Sequence, residues 1–173
     1  MAGKPYLVDA GAYNKEVAAT QTSAGVANAN EIVALNAAGV LDVTLLPPGV
    51  TPLVQPAIAS EAIDAGDFVN LWNDSGTLKA RKADASTPTV GKPADGFVRD
   101  NALLGATVNV YNTDYNDQLS ALTIGADYFL SDVSPGGIIT PAPTTSGHIA
   151  QYLGKAVSAT KMLIEIERPV LKA

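Results

Sequence analysis

From residue 57 onward the chain alternates short apolar runs with turn-forming clusters, a rhythm that suits strands rather than helices. "DFVNLW" (67–72) and "TLKARKA" (77–83) flank Asn73-Asp74-Ser75-Gly76, a strong hairpin signal. "PADGFVRD" (93–100) follows, then "ATVNVYN" (106–112), where Val108 and Val110 alternate with polar neighbours. After a polar loop, "TDYNDQLSAL" (113–122), come "DYFLSD" (127–132), a Ser-Pro-Gly-Gly turn and "IIT". "HIAQYLGKAV" (148–157) and "KMLIEIE" (161–167) complete the set. In the last run Met162, Ile164 and Ile166 share one face, and Leu163, Glu165 and Glu167 the other. Residues 60–65, "SEAIDA", are the one stretch that reads as a helical turn. The pattern predicts an all-β body: a small antiparallel barrel or sandwich over residues 57–173.

Residues 1–56 read differently. Only "EIVAL" (31–35) and "VLDVTLL" (40–46) resemble strands, with residues 36–39 as the turn between them. Such a hairpin is too small to stand alone. Pro47, Pro48 and Gly49 then break regular structure, and Pro52 and Pro56 keep the chain extended. The expectation is an extended N-terminal arm that folds against another surface.

A weak internal echo runs through the body. A strand, a Gly-rich turn and a strand (68–83) lead to "VGKPA" (90–94). The same order recurs from Tyr128 and leads to "LGKAV" (153–157). Duplication and coincidence both fit this pattern.

Composition narrows the function. Of 173 residues, 47% are hydrophobic and only 16% charged, below the ~25% of ordinary domains. That imbalance favours a chain that covers surface against other copies or a partner. The net charge of −6 and the lack of a basic run argue against nucleic acid as a partner. No apolar run nears the ~20 residues of a membrane helix, so no membrane partner is expected. The N-terminal residues show no secretory h-region, which predicts a chain made in the cytoplasm. Cysteine is absent, which removes thiolate zinc sites and cysteine nucleophiles.

The candidate chemistry is thin. His148 is the only imidazole, and no GxSxG elbow accompanies it. Lys92 and Lys155 follow glycines but lie outside any phosphate-binding loop motif. Glu165 and Glu167, two apart on a strand, sit roughly 6.5–7 Å apart, a spacing within reach of inverting glycosidases. They carry the minor alternative of a glycan hydrolase, although no aromatic platform for a sugar lies nearby. Asp114 and Asp117 read as a polar turn rather than a calcium loop. Trp72 reads as an anchor in a core or an interface. No catalytic, metal or cofactor site is expected, and the protein reads as a non-enzyme.

Three stretches carry a resemblance. "TSAGVANANEIVALNAAGVLDVTLLPPGV" (22–50) resembles a segment of tailed-phage virion proteins. "ASEAIDAGDFVNLWNDSGTLKARKADA" (59–85) and the run from "YFLSD" to "GHIAQYLGKAVSAT" are similar to the capsid decoration, or head cement, family. The resemblance implies a β-tulip-like body on the outer capsid surface of the virion. It also implies a homotrimer, an arm reaching over neighbours, and capsid stabilisation through the major capsid protein. Related modules in tail and head fibres make a fibre protein the alternative. On this reading the contact residues are Ile32, Val33, Leu35, Leu41, Val43, Leu45 and Leu46 in the arm, with Trp72 in the body.

Overall fold

The computed structural model describes residues 5–37, 39–46, 54–86 and 92–173, without the side chain of Val43. The chain divides into two compact units, Met1–Thr51 and Pro52–Ala173. The prolines at 47, 48 and 52 and Gly49 fall outside the described residues. The architecture is all-β, with no α-helix among the described residues.

In the first unit, β1 (Pro5–Asp9) and β2 (Asn14–Ala18) form an antiparallel hairpin. The strands expected at 31–35 and 40–46 do not pair with each other. Val33 instead bridges Thr20 in parallel, with Thr20 N–H donating to Ile32 and Ala34 N–H to Thr20. Val43–Leu45 is a 3-10 turn. The cause is local: the Asp42 carboxylate accepts from both the N–H (3.0 Å) and the hydroxyl (2.7 Å) of Thr44. Such side-chain bonds compete with strand pairing.

The second unit opens with a closed five-stranded barrel. Its strands are β3 (Val54–Ala59), β4 (Phe68–Asp74), β5 (Thr77–Lys82), β6 (Gly96–Val98) and β7 (Thr107–Tyr111). Thus Val54, Gln55 and Pro56, assigned to the arm from sequence, lie in a barrel strand. The β4–β5 turn has Ser75 at φ 52° and Gly76 at φ 90°, the two positive values of a type I′ hairpin. Trp72 therefore sits inside β4 rather than at its end. The stretch 60–65 is not helical. Ile63 is buried and exchanges two backbone hydrogen bonds with Ala102 (2.9 and 2.8 Å). Burial of that one side chain outweighs a weak local preference for helix.

Beyond the barrel lie β8 (Tyr115–Asn116), β9 (Asp127–Leu130), β10 (Ile138–Ile139), β11 (Ile149–Ala150), β12 (Tyr152–Ala156), β13 (Met162–Ile164) and β14 (Val170–Leu171). The expected polar loop 113–122 thus contains β8, with Asn116 fully buried. The run 148–157 is split at Gln151, so that β11 pairs with β14 while β12 joins the open sheet β10-β9-β12-β13-β8.

This open sheet repeats the barrel strand for strand. Along the barrel the order is β5-β4-β6-β7-β3, and the matching neighbours are antiparallel in both sets. The register repeats too. Val69 faces Gly96 as Tyr128 faces Gly154, and Val98 faces Val110 as Ala156 faces Met162. Gln55 faces Val110 as Asn116 faces Met162. Gly66 N–H reaches Val98 as Gly125 N–H reaches Ala156. The echo in the sequence is a structural duplication, but its register differs from the textual one. Gly154 corresponds to Gly96, not to the glycine before Lys92.

The two copies differ in closure. In the first, β3 and β5 pair in parallel through Ile58–Lys79 and Ala59–Ala80, sealing a narrow interior of Ala57, Ala59, Val69, Ala80, Val98 and Val110. In the second, the strap Gly66–Phe68 of the barrel occupies the gap between β8 and β10. Asn116 Nδ2 donates to Gly66 O (2.9 Å), and Phe68 N–H donates to Gly136 O (2.8 Å). Side-chain alternation on β4 and β6 then sends Phe68 and Phe97 outward into the second core, against Leu130, Leu153, Met162 and Ile164.

Candidate interaction surface

The first unit is held by polar contacts rather than by a core. Ala19 is its only buried hydrophobic residue among those described. Asn28 Oδ1 accepts from Ala24 N–H (2.6 Å), Thr44 Oγ1 from Ser23 N–H (2.8 Å), and Gln21 Nε2 donates to Leu35 O (2.6 Å). The Glu31 carboxylate is bonded by the Thr20 hydroxyl and by Asn28 Nδ2, which hold its pKa below the ordinary carboxylate value. Asp42 is lowered in the same way by the hydroxyl and the N–H of Thr44. Exposed hydrogen bonds of this kind trade with water and contribute little net stability.

The expected contact residues are distributed as follows. Ile32, Val33, Leu35 and Leu41 are exposed, while Leu45 and Leu46 are half-buried. For Val43 only the backbone is described. Trp72 is half-buried on the barrel, where Arg81 stacks at 5.1 Å from its ring. Leu7, Tyr13 and Val26 are more exposed than any of these, Val26 at 91%. None of the three falls in the runs 31–35 and 40–46 from which the contact residues were drawn.

The chemical candidates sit apart from one another. His148 Nδ1 lies 2.9 Å from the Asp132 carboxylate and ties the start of β11 to the loop after β9. Lys155 pairs with Asp127 (2.7 Å) across β12 and β9, and that bond raises its pKa. The backbone of Lys92 bridges Asp84. Glu167 lines a groove of about 340 Å³ with Asp95, Asn112, Gln151 and Arg168, and Glu165 is not part of it. Asp95 is committed to structure there, accepting from Asn70 Nδ2 (3.0 Å) and Leu71 N–H (2.7 Å). No group of three or more His, Asp or Glu side chains among the described residues could hold a metal ion.

Asp114 has a structural role. Arg99 reaches from the end of β6 to bond the Asp114 carboxylate and Tyr115 O, both at 2.9 Å, while stacking on Tyr111 at 4.5 Å. The bond from Arg99 holds the Asp114 pKa below the ordinary value of 3.8, against the opposing effect of desolvation. A depressed folded-state pKa gives stability that is present above the unfolded value and is lost as pH falls through the folded one. Asp114 is partly exposed, so the expected loss on Asp114→Asn is about 0–1 kcal/mol near neutral pH. Asn tolerates the φ of 82° at this position. The gap in melting temperature between the two proteins is expected to narrow as pH drops below the usual carboxylate range. A gap that stays constant with pH would exclude the pair as its source.

No protein-family model and no curated protein matches the chain. Among solved structures, the chain is similar to the N base of head fibre gp8.5 of bacteriophage phi29. The two share 15% identity with a TM-score of 0.45, over 66% of this chain and 95% of that one.

Proposed function

We propose that this chain is a non-enzymatic structural protein of a tailed-phage virion. In this reading it decorates the outer head surface as a homotrimer and stabilises the lattice of the major capsid protein. The observation that carries the reading is the first unit, most of whose described large apolar side chains are exposed. An unfinished surface of this kind suits a building block that is completed by assembly. The sequence resemblance of residues 22–50 and 59–85 to virion and decoration proteins supplies the setting. Burial of apolar area at ~25 cal/mol per Å² drives such contacts. Repetition over a closed lattice multiplies a modest net gain per copy.

Quantitative mass spectrometry of purified virions tests this against the major capsid protein. Hundreds of copies per particle are expected for a decoration protein. A few tens or fewer would replace the decoration role with a fibre or tail role, and absence from virions would overturn the structural reading altogether.

A further inference from the structure

We propose that the Met1–Thr51 unit is a self-association surface, covered by the same unit of other copies of this chain, and that it becomes stable only through that contact. The inference deepens the structural reading above and rests on its view of the first unit as a contact surface.

Among the described residues the unit holds nine of the nineteen exposed large apolar side chains, although it supplies about a quarter of those residues. Together these present several hundred Å² of apolar area, on the scale of one side of a standard interface at about 800 Å² per partner. Ordinary monomers rarely leave so much uncovered. A two-stranded hairpin and two 3-10 turns with one buried alanine are too little to be stable alone. The missing core therefore comes from outside the unit.

Charge favours a second copy as its source. The described part of the unit carries only Asp9, Lys15, Glu16, Glu31 and Asp42. Glu31 and Asp42 are already held by Thr20, Asn28 and Thr44. Asp9 accepts from Gly11 N–H (2.7 Å), which leaves Lys15 and Glu16, adjacent and of opposite sign, a pair that equivalent units can match reciprocally around a symmetry axis. The unit is also short of charge, and its best complement is a surface equally apolar and equally short of charge. The Pro52–Ala173 unit is a poorer match. Its barrel is closed, the gap in its second motif is filled, and its exposed apolar side chains fall in small separate sets, such as Leu103 with Leu104, Tyr115 with Leu163, and Val170 with Leu171. A copy of the chain is moreover present at equal concentration as soon as the protein is made, which an obligate contact requires.

The test is sedimentation equilibrium and amide hydrogen exchange on the full chain over a wide concentration range. It is repeated on Ile32→Asp/Leu35→Asp and on a control, Val133→Asp, in the other unit. The expected result is a closed oligomer whose amides at residues 5–46 lose protection on dilution. The double variant is expected to associate at least about a hundredfold more weakly, since two carboxylates would have to be buried. The control is expected to behave as wild type. Unchanged exchange at residues 54–173 in the double variant shows that the body still folds. A chain that stays monomeric at high concentration overturns the inference, whether its first unit is protected against its own body or protected only on added capsids. Virion copy number is read separately, so loss of self-association would remove the homotrimer from the reading above and leave its place in the virion to that other measurement.

Discussion

Gly154→Ala is expected to remove about 3–5 kcal/mol of stability, a large share of what a domain of this size possesses. Gly154 lies in β12 between Tyr128 and Ile164, at φ 154°. A methyl group there would run into the carbonyl oxygen of Leu163 on β13, a backbone atom that cannot swing aside. The two strands would have to separate, and the core side chains Leu153, Met162 and Ile164 would separate with them. Gly96 is the equivalent residue of the first copy. An added Cβ there would lie 2.5 Å from Val110 Cγ1 and 2.6 Å from Tyr111 O, so Gly96→Ala is expected to cost a comparable amount. Gly125 provides the contrast. It has φ 81° and no atom within 4 Å of the Cβ position, so Gly125→Ala is expected to cost only the left-handed penalty of about 1–2 kcal/mol. Urea denaturation of the three variants measures this ordering. A Gly154→Ala protein as stable as Gly125→Ala would contradict the closeness of β12 and β13.

Gln151→Met is the second large effect, expected at about 2–4 kcal/mol. Gln151 is 2% exposed, and its amide acts as a short piece of strand. Oε1 accepts from Ala94 N–H (2.7 Å), and Nε2 donates to Ala94 O and Glu167 O, both at 2.9 Å. Methionine fills the same volume but leaves a buried N–H and two carbonyls without these partners. Gln151→Glu keeps the acceptor for Ala94 and places a buried carboxylate against two carbonyl oxygens. At neutral pH it is expected to be less stable than Gln151→Met. Burial and the facing carbonyls favour its protonated form, so its folded-state pKa lies above the unfolded value. Its instability is therefore relieved as pH falls through the folded-state pKa and is gone below the unfolded one. Thermal melts of both variants across acidic pH read this out. Parallel pH profiles for the two would show that residue 151 does not face the carbonyls of Ala94 and Glu167.

These two positions show what could be read from the chain before its structure was known. The alternation in 106–112 and 161–167 put Val108 with Val110 and Met162 with Ile164 on one face of each strand, and those faces are the buried ones, because period-two patterning has one meaning wherever one face is buried. Asn73 to Gly76 announced their hairpin, since few residues accept two successive positive φ values. Gln151, in contrast, reads as an ordinary polar position within a strand, and nothing adjacent to it reveals that its partners lie at 94 and 167. The expected hairpin at 31–46 failed for the opposite reason. Its apolar runs look like strands, while Asp42 and Thr44 supply local bonds that turn the backbone aside.

The sequence by itself determined the all-β class, most strand positions and the absence of a familiar catalytic motif, because these depend on short-range periodicity and residue type. It also raised the expectation of an N-terminal arm that folds against another surface. Only the tertiary structure decided that the body holds two copies of one motif in matching register, the first closed on itself and the second filled by the strap Gly66–Phe68. Closure depends on pairs far apart in the chain, such as Ile58 with Lys79 and Asn116 with Gly66. No local pattern encodes these pairs, since what selects them is the shape of the space between two cores.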